Sequence, residues 1–133
     1  MTTYTSFVSD LVNMSVTGQT SLSAPPASIT GKTPVRWPMP PSGDSAALVM
    51  GGDGYQRTMR VELRVAVQAL GQGTLGSEYT ATLTALDNLE TALQTLHATS
   101  AYQMAWTFTM SMVEVGNTSY YGLTCLVTAT DIA

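Results

Sequence analysis

Charge is what this chain has least of. Asp, Glu, Lys and Arg together make up 11% of its 133 residues, less than half of the usual share. Five basic side chains stand against nine acidic ones, for a formal charge of −4. The basic set is Lys32, Arg36, Arg57, Arg60 and Arg64. So few cations argue against a protein that grips a phosphate backbone, because that affinity comes from clustered Lys and Arg releasing counterions. A single cysteine, Cys125, allows no intrachain disulfide and implies no oxidising compartment. No run approaches the roughly 20 apolar residues that cross a bilayer. The N-terminus has no basic region followed by an apolar stretch, so a secretory signal is not expected, and a cytoplasm-like setting is.

Chemical motifs are equally scarce. The one histidine, His97, falls where a helix should end, and an imidazolium suits that negative dipole end better than catalysis. Cys125 falls on an apolar strand face and reads as a small hydrophobe. No Cys/His or Asp/Glu spacing suits zinc or calcium. Gly51-Gly52-Asp53-Gly54 lacks the lysine and following helix of a phosphate loop, so it reads as a turn. The expectation is a non-enzyme with no cofactor and no metal.

What is present is enough apolar material for one core. Apolar residues are 44% of the chain and the mean hydropathy is +0.13, which is globular composition. A single domain over residues 1–133 follows from the length. With so little charge, much of the surface must be Thr, Ser, Gln and small apolar residues, which suits a subunit covered by neighbours.

The predicted class is α+β: a mainly antiparallel sheet of four to five strands with two helices packed on it. Tyr4, Phe7, Val8, Leu11 and Val12 have helical spacing over residues 4–14, with Thr3 or Thr5 as cap. Gln19–Ser23 reads as a short edge strand. All six prolines then fall between Pro25 and Pro41, so residues 24–44 are predicted to be an extended loop or arm. Val35, Trp37 and Met39 suggest that the arm is pinned, either on its own fold or on a partner. The sheet and helix core is expected over 46–130. Ala46–Met50 reads as a strand and the following glycines as a turn into a long strand, Arg57–Leu70. There Met59, Val61, Leu63, Val65 and Val67 face one way, and Arg60, Glu62, Arg64 and Gln68 the other. Gly71-Gln72-Gly73 ends that strand. Ser77 and Glu78 open a helix over 77–97 whose stripe is Tyr79, Leu83, Leu86, Leu89, Leu93 and Leu96.

The last element is a long hairpin, Tyr102–Val115 with Ser119–Ala129. With a turn at Gly116–Ser119, Met112 would meet Leu123, Met110 Cys125, Phe108 Val127 and Trp106 Ala129. All these pairs are apolar, and Met104, Met110 and Met112 fall on the core face. The other face carries Thr107, Thr109 and Ser111, and a one-residue slip would put Met and Trp among them. Fourteen strand residues span roughly 45 Å and the 21-residue helix about 30 Å. Part of the hairpin should therefore project past the helix, and a projecting uncharged strand pair invites pairing with another chain. The candidate interface residues are Val35, Trp37 and Met39 of the arm, Asp53 and Tyr55 at the glycine turn, and Arg60, Glu62 and Arg64 of the long strand. Thr107, Thr109, Ser111, Asn117 and Tyr120 of the hairpin complete the set. Arg60 and Arg64 beside Glu62 read as a surface or intersubunit ion-pair group.

The order of elements resembles a known family. A short N-terminal helix (TSFVSDLVNM), a small strand, a proline-rich arm (APPASI…TPVRWPMPP), a long strand into a glycine turn (RTMRVELRVAVQALGQGT), one amphipathic helix and a terminal hairpin follow in turn. This layout is similar to the tail terminator, or tail completion, proteins of long-tailed double-stranded DNA bacteriophages. The resemblance covers nearly the whole chain and lies in element order rather than in invariant motifs. It implies a hexameric ring that caps the tail tube, stops tube polymerisation and meets the head-side connector. DNA would pass through its lumen without specific binding, the partners would be the tube and connector proteins, and the location would be the head-proximal end of the virion tail, with no membrane. A head-side stopper, a tail tube subunit, a coat-type nucleic-acid binder and a small-ligand α+β module remain alternatives. A sheet that reads RNA would need more than Arg60 and Arg64.

Overall fold

A computed structural model describes residues 3–29, 33–47, 55–69 and 75–132, the side chains of 75–78 and 132 excepted. The class is α+β, with two helices and a mixed six-stranded sheet among the described residues. Helix α1 spans Tyr4–Asn13, and Thr3 caps it by accepting a 3.1 Å hydrogen bond from the Ser6 amide. Its ten residues are too few to be stable alone. Phe7 and Leu11 are fully buried on the sheet and hold it there.

Three short strands follow: β1 (Thr20–Ser21), β2 (Val35–Pro38) and β3 (Ser42–Ala47). β1 falls within the edge strand expected over Gln19–Ser23, while β2 and the start of β3 correct the expected sheet of four to five strands and the part of the expected loop beyond residue 34. β1 pairs in parallel with β2, while β2 and β3 both run antiparallel along one edge of β4 (Tyr55–Ala69). Pro38 faces Leu63 and Ser42 faces Arg60, so Met39, Pro40 and Pro41 lie opposite only Val61 and Glu62. The prolines thus sit at a bulge in an edge strand, where a missing amide donor disturbs no central ladder. Met39 still donates its amide to the Glu62 carbonyl at 2.8 Å. The strand predicted at Ala46–Met50 begins earlier, at Ser42, and residues 48–50 lie outside the described ones. The two glycine turns, at 51–54 and 71–73, do so as well.

Helix α2 (Leu75–Thr99) starts two residues before the predicted one and leads into the hairpin of β5 (Gln103–Val115) and β6 (Thr118–Ile132). The sheet order is β1-β2-β4-β6-β5, with β3 also on β4, so β5 forms one outer edge and β3 part of the other. The hairpin pairs Met112 with Tyr121, Met110 with Leu123, Phe108 with Cys125 and Trp106 with Val127. That register is two residues tighter than expected, because the turn is Gly116-Asn117 rather than four residues long. Gly116 has φ +60°, which a two-residue turn with glycine at its first central position requires. A shift of two preserves parity, so each side chain keeps its face.

Two apolar clusters form, one on each face of the sheet. The larger lies under both helices: Met59, Val61, Leu63 and Val65 of β4 and Leu123, Cys125 and Val127 of β6 pack against Phe7, Leu11, Leu89 and Leu93. The smaller lies on the opposite face near the hairpin turn, where Ile29, Val35, Trp37, Ala66, Val113, Val115 and Tyr120 meet. A single extra residue, Val67, bulges β4 between the Ala66 and Gln68 pairings and returns its side chain to the larger cluster.

Candidate functional site

Period two sends Arg60, Glu62 and Arg64 to the face of β4 that no helix covers. Across the rungs, Arg60 lines up with Thr128 and Ala105, Glu62 with Leu126 and Thr107, and Arg64 with Thr124 and Thr109. On these rungs formal charge lies in the β4 row, with Asp44 of β3 beside it, and the β6 and β5 rows present threonine, alanine and Leu126, the last 44% exposed. Arg60 holds Asp44 of β3 at 3.2 Å, and Arg64 lies 3.6 Å from Glu62. Both pairs are partly exposed and contribute little to stability. They do neutralise the row, and the Thr124 hydroxyl donates to the Thr109 carbonyl across the same surface.

This face collects part of the predicted interface set. Arg60, Glu62, Arg64, Thr107, Thr109 and Ser111 lie on it, and Asn117 is exposed at the hairpin turn. Tyr55 stands at the start of β4, 45% exposed. Val35, Trp37 and Tyr120 do not belong to the exposed surface. All three are buried in the smaller cluster of their own chain, and Met39 packs partly against it. The arm is pinned to its own sheet because Trp37 and Val35 share a face with Val113 and Val115, which would otherwise be bare. Asp53 lies outside the described residues.

Sequence reasoning missed a second surface. Leu89 and Leu93 of the predicted helix stripe are fully buried, but Tyr79 and Leu83 are exposed. Next to them Met110 and Met112, predicted as core, are 39% and 66% exposed. The physical reason is coverage: α2 turns Thr82, Ala85, Leu89 and Leu93 inward, Trp106 and Phe108 pack against that core, and Met110 and Met112 meet α2 only across an open cleft at Tyr79 and Thr82. A small cleft of ≈290 Å³ between Tyr79, Thr82, Met110, Met112 and Tyr121 marks the spot. At the opposite edge of the sheet, a groove of ≈500 Å³ runs between α1 and the β3 start, lined by Tyr4, Val8, Val12 and Pro41 together with the uncharged Thr5, Ser9, Asn13 and Ser23. The spacing of Met110 and Met112 near a glycine turn was visible in the chain; the reach of α2 was not.

Cys125, Tyr102 and Arg36 are buried in the fold. Cys125 is fully buried, and burial, with the Glu90 charge as a lesser cause, pushes its thiol up to about 12. Burial likewise raises Tyr102, helped by its hydrogen bond to Asp10. The Arg36 guanidinium, 1% exposed, donates to the Leu11, Val12 and Met14 carbonyls at the negative end of α1. Burial lowers its pKa. His97 stands exposed in the last turn of α2. No described helix is long and apolar enough to cross a membrane. Compared with protein-family models and with curated proteins, the chain matches none.

Proposed function

We propose that this chain is a non-enzymatic virion structural protein, a tail terminator. In this role copies form a ring that caps the tail tube, stops its growth and joins it to the head-side connector. The observation that carries the reading is a sheet with, among the described residues, an open strand on each side: β5 is a 13-residue outer strand whose only charged residue is Glu114, and β3, part of the other edge, is exposed at all six positions. Proteins that stay monomeric guard long edges with charge, proline or cover. An edge this bare suits continuous contact with further chains.

The remaining surface supports the same role. A net charge of −4 and a largely neutral sheet face suit a lumen through which DNA passes without being held. A six-fold ring joins one surface of a subunit to a different surface of the next, and the two sheet edges are such a pair. The order of helix, short strand, proline-rich segment, long strand, helix and terminal hairpin supports the resemblance read from the sequence. The test is the mass of the purified protein in solution together with negative-stain imaging. Discrete rings with a central hole are expected of a terminator. Long tubes would make it a tube subunit, and a monodisperse monomer at micromolar concentration would overturn the reading.

A further inference from the structure

The two open edges are complementary in direction as well as in accessibility. Along β3-β4-β6-β5 every pairing is antiparallel, so β3 and β5 point in opposite senses. If a second copy continues the sheet in the same orientation, its β3 meets this β5 antiparallel, the more stable pairing. Small residues favour the approach: β3 reads Ser42, Gly43, Asp44, Ser45, Ala46, Ala47 and raises no bulky side chain.

A six-residue edge alone buries far less than the about 800 Å² per partner of a specific interface. The missing area is available on the helix-covered face. Met110 and Met112 rise from β5 on that face, and the groove of Tyr4, Val8, Val12 and Pro41 opens at the other edge on the same side. The registers agree too: an antiparallel pairing that sets Met112 opposite Pro41 also sets Thr107 opposite Ala46, on the uncovered face. Neither the groove nor the methionine patch has a charged lining residue. Flexible thioether side chains adapt readily to irregular uncharged grooves.

We infer that copies of this chain join head to tail, β5 of one laid antiparallel against β3 of the next, with Met110 and Met112 seated between α1 and Pro41 of that neighbour. The inference rests on the ring-forming reading above but can fail without it. Such a contact is heterologous and closes only as a ring. It also accounts for the exposure of Met112, which a monomer gains nothing by displaying.

Disulfide trapping in the full chain tests it, since the only native thiol, Cys125, is buried. Ala46→Cys on β3 is mixed with Ala105→Cys, Thr107→Cys or Thr109→Cys on β5, all four on the uncovered face. Under mild oxidant at least one mixture should give covalent dimers, while each variant alone stays single on a non-reducing gel. Met112→Asp should raise the concentration for assembly at least tenfold with an unchanged melting temperature. Rings by negative stain without any cross-linked mixture would overturn the edge pairing and leave the ring reading standing. Unchanged assembly of Met112→Asp would overturn the groove contact. The absence of any assembly would overturn both readings together.

Discussion

Tyr102 donates a 2.7 Å hydrogen bond from its hydroxyl to the Asp10 carboxylate, tying the segment before β5 to α1 across 92 residues of chain. Its ring also meets Phe7 edge-on, with centroids 5.5 Å apart. The short helix is therefore held at three points: Phe7 and Leu11 in the core, Asp10 on Tyr102, and its last carbonyls on Arg36. Tyr102→Phe keeps the ring and removes the donor. A loss of about 1.5–3 kcal/mol is expected for a bond to a charged acceptor, read from urea unfolding. A double-mutant cycle with Asp10→Asn should recover most of that loss as coupling.

Arg36→Met removes the donor that the Leu11 and Val12 carbonyls of α1 and the Met14 carbonyl after it share. Leaving buried carbonyls unmet costs about 1–3 kcal/mol. The change should also loosen α1 selectively, seen as faster amide exchange in residues 4–13 than in β4 or β6. Uniform protection across the chain would contradict this role.

Trp37→Ala separates packing from docking. Trp37 is 2% exposed and fills the smaller cluster with Val35 and Tyr120. The expected result is a loss of about 3–5 kcal/mol with the assembly state unchanged below the new melting temperature. A variant of wild-type stability that fails to assemble would instead make the arm a docking element.

Cys125 supplies a pH signature. Its thiol is pushed from 9.0 up to about 12 in the fold. The native protein therefore binds more protons than the unfolded chain between those values, and stability falls as pH rises through that window. The contribution is fully present below pH 9. Tyr102, raised in the same direction, adds to the loss at higher pH. Cys125→Ala should be less stable at pH 8 because of its cavity, yet show a shallower decline from pH 9 to 11. Alkylation of native Cys125 at pH 8 should be negligible and become rapid in denaturant.

Much of the fold was legible in the chain because its long elements carry strong periods. The alternation of Met59 through Val67 and the parity of the hairpin both survive in the structure. Where a count of turn residues mattered, the register moved by two. The proline-rich stretch was misread for a physical reason: proline is excluded from central strands, not from edge bulges. Pro38 therefore ends β2, and Pro40 and Pro41 lie in the bulge between β2 and β3 along the border of β4. The polar row of Arg60, Glu62 and Arg64 was placed on its face by period alone. The burial of Val35, Trp37 and Tyr120 was not, because it depends on residues 22–29 crossing behind the sheet, a tertiary fact with no local pattern. Met110 and Met112 look like core by parity, and only the reach of α2 shows that they are left outside.

The mass of the purified chain at micromolar concentration, by light scattering with negative-stain imaging of the same sample, tests the central claim most directly. A tail terminator should give one discrete species near six times 14.1 kDa, seen as rings with a central hole. A single 14.1 kDa monomer, or open-ended tubes, would contradict it.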